Sequence, residues 1–298
     1  MSPDIASGAD ASSAPEAWTP SEQELDRREA RRQQSRRSIA VAAISSVVVI
    51  GGIVAVVLRS SGWPVVQVTF FDPAVGRKVL PLIWDGFKLD LLLVVIATFF
   101  IALLSLSIAL VRTSTAPALA PFRILATAYV DVFRGTPLIL VIYLIGFGIP
   151  ALSLAVVSYA DVAVYGTAAI VVTYSAYVAE VIRSGILSVH PSQRAAARSL
   201  GLSPSLTMRH VVLPQGLRRV VPPLLNDFVS LLKDVALVSI LGVVEGVRVA
   251  QVQADKIFNY TPYVVVSILF LMVTIPLTRF TDRVLIRSIA RQNAGGTA

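Results

Sequence analysis

The 298 residues include no cysteine and only two histidines, His190 and His210. A disulfide framework and a thiolate metal site are therefore excluded, and two histidines alone make a poor transition-metal cage. There is no G-x-x-x-x-G-K-[ST] run, so the chain carries no phosphate cradle and is not itself an ATPase; H-E-x-x-H and G-x-S-x-G are absent too. No residue is expected to be catalytic, and neither metal nor cofactor is expected in the chain. No internal repeat of useful length marks inverted halves. Charge is scarce: 15% of residues are charged against 55% hydrophobic, with a mean hydropathy of +0.74. Such a composition excludes an ordinary soluble surface and places the chain in lipid. The net charge of +8 reads as the basic excess that flanks membrane spans, not as a nucleic-acid surface. Met1 to Gln34 contain no apolar run of the kind a secretory signal needs. Residues 1–38 are expected to form a disordered cytoplasmic tail.

What is present in quantity is apolar runs of about 20 residues, the length that bridges a bilayer as a helix. Six qualify: Ile39 to Leu58, Leu91 to Val111, Ala120 to Phe147, Val162 to Ile182, Pro222 to Val244 and Tyr263 to Leu285. The fold expected is an all-α, polytopic transmembrane helical bundle of about six spans. Arg27, Arg28, Arg31, Arg32, Arg36 and Arg37 precede the first run and put the N-terminus in the cytoplasm; an even number of spans returns the C-terminus there. Six arginines and no acidic residue lie between Ile182 and Asn226, which makes that connection cytoplasmic as well. Gly62 to Asp90 is too polar to span, and Val79 to Phe87 is expected at the outer interface with Trp84 as its anchor. Gly146 and Gly148, ahead of Pro150, mark the end of the third helix, and Pro222 and Pro223 the start of the fifth.

The connection from His190 to Arg219 has the signals of two ordered helices. Pro191 suits a first helical position, Ser192 to Leu200 is rich in helix formers, and Gly201 can take the left-handed conformation that ends a helix. Ser203 and Pro204 restart one, and Pro214 is expected to stop it. By its residues alone this loop is either a coupling element for another protein or an amphipathic connection that binds anionic lipid through its arginines.

The run Gln193-Arg194-Ala195-Ala196-Ala197-Arg198-Ser199-Leu200-Gly201, followed after nine residues by Val211-Val212-Leu213-Pro214, resembles the EAA loop of ABC importer permeases. Ala195 departs from the pattern, standing where the family usually has Glu. Arg134-Gly135-Thr136-Pro137-Leu138, Ala176 to Ile186, Leu213-Pro214-Gln215 and Pro223-Leu224-Leu225-Asn226 with Lys233-Asp234 resemble the polar amino acid subfamily, which serves histidine, glutamine, glutamate, arginine and opines. The resemblance implies a type I importer core of MetI-like fold over residues 79–290, beyond an extra transmembrane helix at 39–58. It implies that loop 190–215 couples to separate ATPase subunits through Arg194, Ala195, Ala196, Ala197, Gly201, Leu213 and Pro214. The partners it implies are cytoplasmic ABC ATPases carrying ATP and Mg, an extracytoplasmic solute-binding protein, a second permease subunit of like or similar sequence, and the lipid of a bacterial plasma membrane.

Ionisable side chains within spans cost about 2.5–3.5 kcal/mol each on insertion scales, so they should face protein or water. Asp131 with Arg134, and Glu180 with Arg183, are three apart and suit ion pairs that brace helices. Lys233 and Asp234 fall in the middle of the fifth run and are expected to border a translocation pathway. Arg134, Thr136, Glu180 and Asn226 complete the candidate pathway residues. The alternative is an ion-coupled transporter or channel in which Asp131, Asp227 or Asp234 binds a proton or cation.

Overall fold

The structure, a computed structural model, describes residues 21–153 and 160–294. Eleven α-helices and no strand occur among them: α1 Glu22–Arg59, α2 Trp63–Phe70, α3 Pro73–Thr113, α4 Ala120–Gly135, α5 Leu138–Ala151, α6 Val162–Ser188, α7 Pro191–Ser199, α8 Pro204–Thr207, α9 Leu213–Asp234, α10 Gly246–Ile257 and α11 Thr261–Ala294. Four stretches are long and apolar enough to cross a membrane, namely Arg37–Arg59, Trp63–Thr113, Val162–Ser188 and Thr261–Arg287. Pro117–Gly135 with Leu138–Ala151 makes a fifth if this pair, bent by 108°, counts as one span.

The chain divides into two compact units, Met1–Pro64 and Val65–Ala298. In the first, α1 is helical from Glu22, so helix begins well before Ile39; of the expected tail, residues 1–20 lie outside the described residues. The span Arg37–Arg59 buries none of its side chains in the protein. A helix apolar on every side has lipid as its natural solvent.

In the second unit α6 is the central post, packed against α3, α4, α5 and α9. Its buried face includes Ala169, Ile170, Ala176, Ala179, Ile182 and Ile186. Helix α3 is 41 residues long, about 60 Å at 1.5 Å per residue. One stripe of buried positions runs along it at helical spacing: Val79, Ile83, Phe87, Asp90, Val94, Ala97, Ile101, Ser105 and Ile108. The stretch Val79 to Phe87 is part of this long helix. Val79, Ile83 and Phe87 are buried against α10 and α11 in a core of their own with Ala250, Val266 and Leu269, while Leu80, Leu82 and Trp84 stay exposed on the other face.

Two expectations are corrected. The run Ala120 to Phe147 is not one helix, because Thr136-Pro137 breaks it: Pro137 lacks the N–H a continuous helix needs, and its ring pushes the preceding residue out of helical geometry. The new helix α5 carries Gly146 and Gly148 in its interior. A Cβ on Gly146 would lie 2.4 Å from the Leu241 side chain, so this glycine admits a knob rather than ending a helix. Likewise Pro222 and Pro223 do not open the fifth span; they sit within α9, which starts at Leu213 and passes into the 3₁₀ turn Val235–Leu241.

Candidate functional site

The connection after α6 is built as its residues require, with one change. His190 caps α7 through Nδ1, which accepts the Ser192 N–H at 3.3 Å, and Pro191 fills the first turn. The helix closes on Gly201 at φ +80°, with Leu202 N–H donating to Ala197 O at 3.2 Å and Gly201 N–H to Arg198 O at 3.0 Å. This is a Schellman ending, which a residue with a Cβ adopts only with strain. Ser203 Oγ then accepts the Leu206 N–H and Pro204 starts α8. The change concerns Pro214. It stops nothing; a π-wound turn, Met208–Val212, leads straight into α9, with Leu213 N–H donating to Met208 O, and Pro214 is the second residue of that helix. The second half of the loop is thus a rigid extension of α9.

Two arginines fasten the loop. Arg194 donates to Ile186 O at 2.8 Å, and Arg219 donates to Ser188 O. Both acceptors belong to the last turn of α6, whose carbonyls have no helical partner. Beneath them α6 and α9 touch backbone to backbone, since a Cβ on Gly185 would meet Gly216 O at 2.7 Å. Beyond this clamp the loop faces outward. Ala195, Ala196 and Pro214 are exposed, Leu200 is 83% exposed, Leu213 is half-buried, and of the three alanines only Ala197 is buried.

Deeper in the bundle, α3, α6 and α9 line a partly open cavity of about 290 Å³, with Thr98, Ser105, Tyr174, Leu224, Asp227 and Phe228 among its walls. Its hydroxyls are occupied: Thr98 donates to Val94 O at 2.7 Å, Ser105 to Ala102 O at 3.3 Å, and Tyr174 to Asp234 Oδ2 at 2.6 Å. Asp227 is different, because its Oδ2 is buried and accepts no hydrogen bond. It is the one charged side chain in the lining.

The residues singled out from the sequence divide into three groups. Asp234 reaches this region through Tyr174, whereas its neighbour Lys233 is exposed on another face of α9, as is Asn226. Glu180 forms the ion pair with Arg183 at 2.5 Å and a second with Arg112 of α3 at 2.6 Å, so it ties two helices. Arg134 and Thr136 stand at the α4–α5 break. Thr136 Oγ1 donates to Val132 O at 2.8 Å, and the Arg134 guanidinium lies 5.9 Å from the Tyr177 ring centre. Among the described residues no ion pair joins Arg134 to Asp131; the aromatic face replaces it.

Sequence reading missed the cavity role of Asp227 and Tyr174, and it missed Asp90 with Glu245. Both of these carboxyl groups are wholly buried. Glu245 caps α10, accepting the Val247 N–H at 2.6 Å and the Arg248 N–H at 2.7 Å; Asp90 lies beside it and accepts the Gly246 N–H at 3.1 Å. The pattern E-G-V-R before a helix was the only available signal, since N-cap acids are common and usually exposed. Among the described residues no group of His, Asp and Glu is arranged to hold a metal ion.

Comparison with known proteins agrees with this architecture. Residues 120–290 match the model of the family described as "Binding-protein-dependent transport system inner membrane component". The chain is 38% identical over 199 residues to a probable glutamine ABC transporter permease of Bacillus subtilis, covering 65% of this chain and 87% of that one. It is 30% identical over 200 residues to an arginine transport system permease of the same organism, covering 67% and 89%. Among solved structures, an amino acid ABC transporter with histidines superposes with a TM-score of 0.64 at 31% identity, over 72% of this chain and 98% of that chain. The inward-facing MetNI methionine ABC transporter shares the fold, with a TM-score of 0.55 at 20% identity, over 70% of this chain and 98% of the other. With more than half its length inside the family model and its helices in the same arrangement, the chain belongs to the binding-protein-dependent transport system inner membrane components, the membrane-embedded permeases of ABC importers.

Proposed function

We propose that this permease carries a polar amino acid across a bacterial plasma membrane, and that loop 190–215 passes the movement of a partner ATPase to helices α6 and α9. The names of its relatives support the solute class: glutamine for one, arginine for another. The observation that carries the coupling reading is the clamp. Arg194 and Arg219 bind the end of α6 from both sides of the loop, and α8 runs into α9 without a flexible joint. A push on exposed Leu200 or on Ala195 and Ala196 would move both helices together, and these two helices form two of the three walls of the cavity holding Asp227.

In this reading Ala195, Ala196, Ala197, Gly201, Leu213 and Pro214 shape the docking arm, with Arg194 as its fastening. ATP and Mg act in the cytoplasmic ATPase subunits, and an extracytoplasmic binding protein delivers solute. A second permease, identical or similar, completes the pathway. The exposed Lys233 and Asn226 then face that second subunit or the water between them, since an ammonium group in mid-bilayer needs such surroundings. Asp234, Glu180, Arg134 and Thr136 hold the helices bordering the path. The six spans and the cytoplasmic termini complete the proposal, with 39–58 as an additional anchor, the core at 79–290 and no role for nucleic acid.

Replacing Gly201 by Val tests the arm. In vesicles containing the permease, its ATPase and its binding protein, Gly201→Val is expected to abolish ATP-dependent amino acid uptake while the protein inserts and purifies normally. Undiminished uptake would remove the coupling role.

A further inference from the structure

The chemistry of the cavity between α3, α6 and α9 narrows the solute further than any relative's name does. Its thirteen lining residues are apolar or hydroxyl-bearing except for Asp227. No Lys, Arg or His faces the space, so a solute bearing a side-chain carboxylate would meet no cation there. The three hydroxyls already donate elsewhere, leaving Asp227 Oδ2 as a buried acceptor without a donor. A buried carboxylate oxygen in that condition is costly, and a charge-assisted hydrogen bond from an incoming cation would relieve the cost.

Net charge then ranks the amino acids. An amino acid with a neutral side chain is a zwitterion and leaves unchanged the negative charge set by Asp227 in the lining and Asp234 behind Tyr174. One with an acidic side chain adds a further negative charge, whereas one with a cationic side chain cancels one. In a low-dielectric site between helices such differences are amplified relative to water. Shape agrees, because Leu224, Phe228 and Val178 offer apolar surface for a methylene stem beside the carboxyl group.

Building on the reading of this chain as an amino acid permease, we infer that its cavity is a binding site for amino acids with a cationic side chain, held by Asp227 of α9. Asp227 binds the ammonium or guanidinium group; Tyr174, engaged with Asp234, is the wall opposite and fixes the spacing of α6 from α9.

The test uses the purified complex of permease and ATPase without binding protein, so that selectivity belongs to the membrane path alone. Equilibrium dialysis is run with radiolabelled L-arginine, L-glutamine and L-glutamate. Arginine is expected to bind at least ten-fold more tightly than glutamine, with glutamate weakest. Asp227→Asn should weaken arginine at least ten-fold and leave glutamine within about two-fold, a selective loss that a merely structural role would not produce. Asp227→Glu, which keeps the charge if the Asn variant proves unstable, should preserve the order arginine, glutamine, glutamate. Glutamine binding as tightly as arginine, or equal losses for all three in the Asn variant, would overturn the cationic assignment and leave the permease reading intact. If ATP drives uptake of no amino acid in the complete vesicle system, the permease reading for amino acids fails and this inference falls with it.

Discussion

Where α6 crosses α9, Gly185 and Gly216 let two backbones touch; where α3 meets the start of α10, Gly86 and Gly246 do the same. The surroundings differ. The first crossing lies under the 190–215 arm and is flanked by Arg194, whose contact to Ile186 O is half-buried, and by Arg219, whose contact to Ser188 O is exposed. The second is sealed: Phe87 and Ile83 are buried next to it, and Asp90 and Glu245 bury two carboxyl groups against the helix start. Both joints are close-packed; the first adds hydrogen bonds within reach of water, which exchange at modest cost, whereas the second adds desolvated carboxyls, which do not. The α6–α9 crossing is thus suited to relay motion and the α3–α10 crossing to hold the frame.

The largest effect should come from filling the sealed crossing. A Cβ at Gly86 would stand 2.8 Å from the Glu245 carbonyl carbon and 2.9 Å from Gly246 N, all backbone. Gly86→Ala is expected to cost about 3 kcal/mol through overpacking, and to lower the thermal midpoint in detergent markedly. At Gly185 the nearest obstacle is the Val220 side chain, which can turn, and then Gly216 O. Gly185→Ala should cost about half as much in stability and yet reduce uptake more severely than stability accounts for. If the Gly185 variant melted lower than the Gly86 variant, the two joints would have to exchange roles.

Next in size is the tie between α3 and α6. Glu180 meets Arg112, whose side chain is 11% exposed, and Arg183, 30% exposed. Glu180→Gln leaves Arg112 nearly buried and without its anion, for a loss of about 2 kcal/mol, discounted for the partial exposure of the cluster. Arg112→Met combined with Glu180→Gln should recover part of that loss, and a double-mutant cycle on thermal midpoints would measure it.

These contrasts show which features the sequence discloses. Gly201, Ser203 and Pro204 announced the arm because their turn and capping chemistry is local: each residue's conformation is decided within four positions. The Glu180–Arg183 pair was legible for the same reason, being one helical turn apart, whereas Arg112 joins it across 68 positions and left no local trace. Pro214, Pro222 and Pro223 misled because a proline's role depends on whether helix precedes it. A π-wound turn ahead of Pro214 carries the chain through where a stop was expected. The burial of Val79, Ile83 and Phe87 left no local trace, since it is supplied by α10 and α11, more than 150 residues later in the chain. The apolar runs revealed lipid but not partition between lipid and protein, because both solvents select the same residues. For that reason Asp227 could be recognised as an unusual charge before its cavity could be drawn.

The smallest effects separate the two joints most finely. Arg219→Gln removes a charge-assisted contact to Ser188 O at a place open to water, so about 1 kcal/mol or less should be lost, while coupling of ATP hydrolysis to uptake falls several-fold. At the sealed joint the outcome depends on what replaces the carboxyl. Asp90→Ala leaves the buried Gly246 N–H without an acceptor, which should cost about 1–3 kcal/mol. Asp90→Asn keeps an oxygen for that N–H and turns an amide N–H toward Glu245, so its stability should stay within about 0.5 kcal/mol of the parent. Equal destabilisation by Ala and Asn would mean that the Asp90 carboxyl is needed for its own chemistry rather than as an acceptor, and the α3–α10 crossing would then have to be counted among the working parts of the transporter.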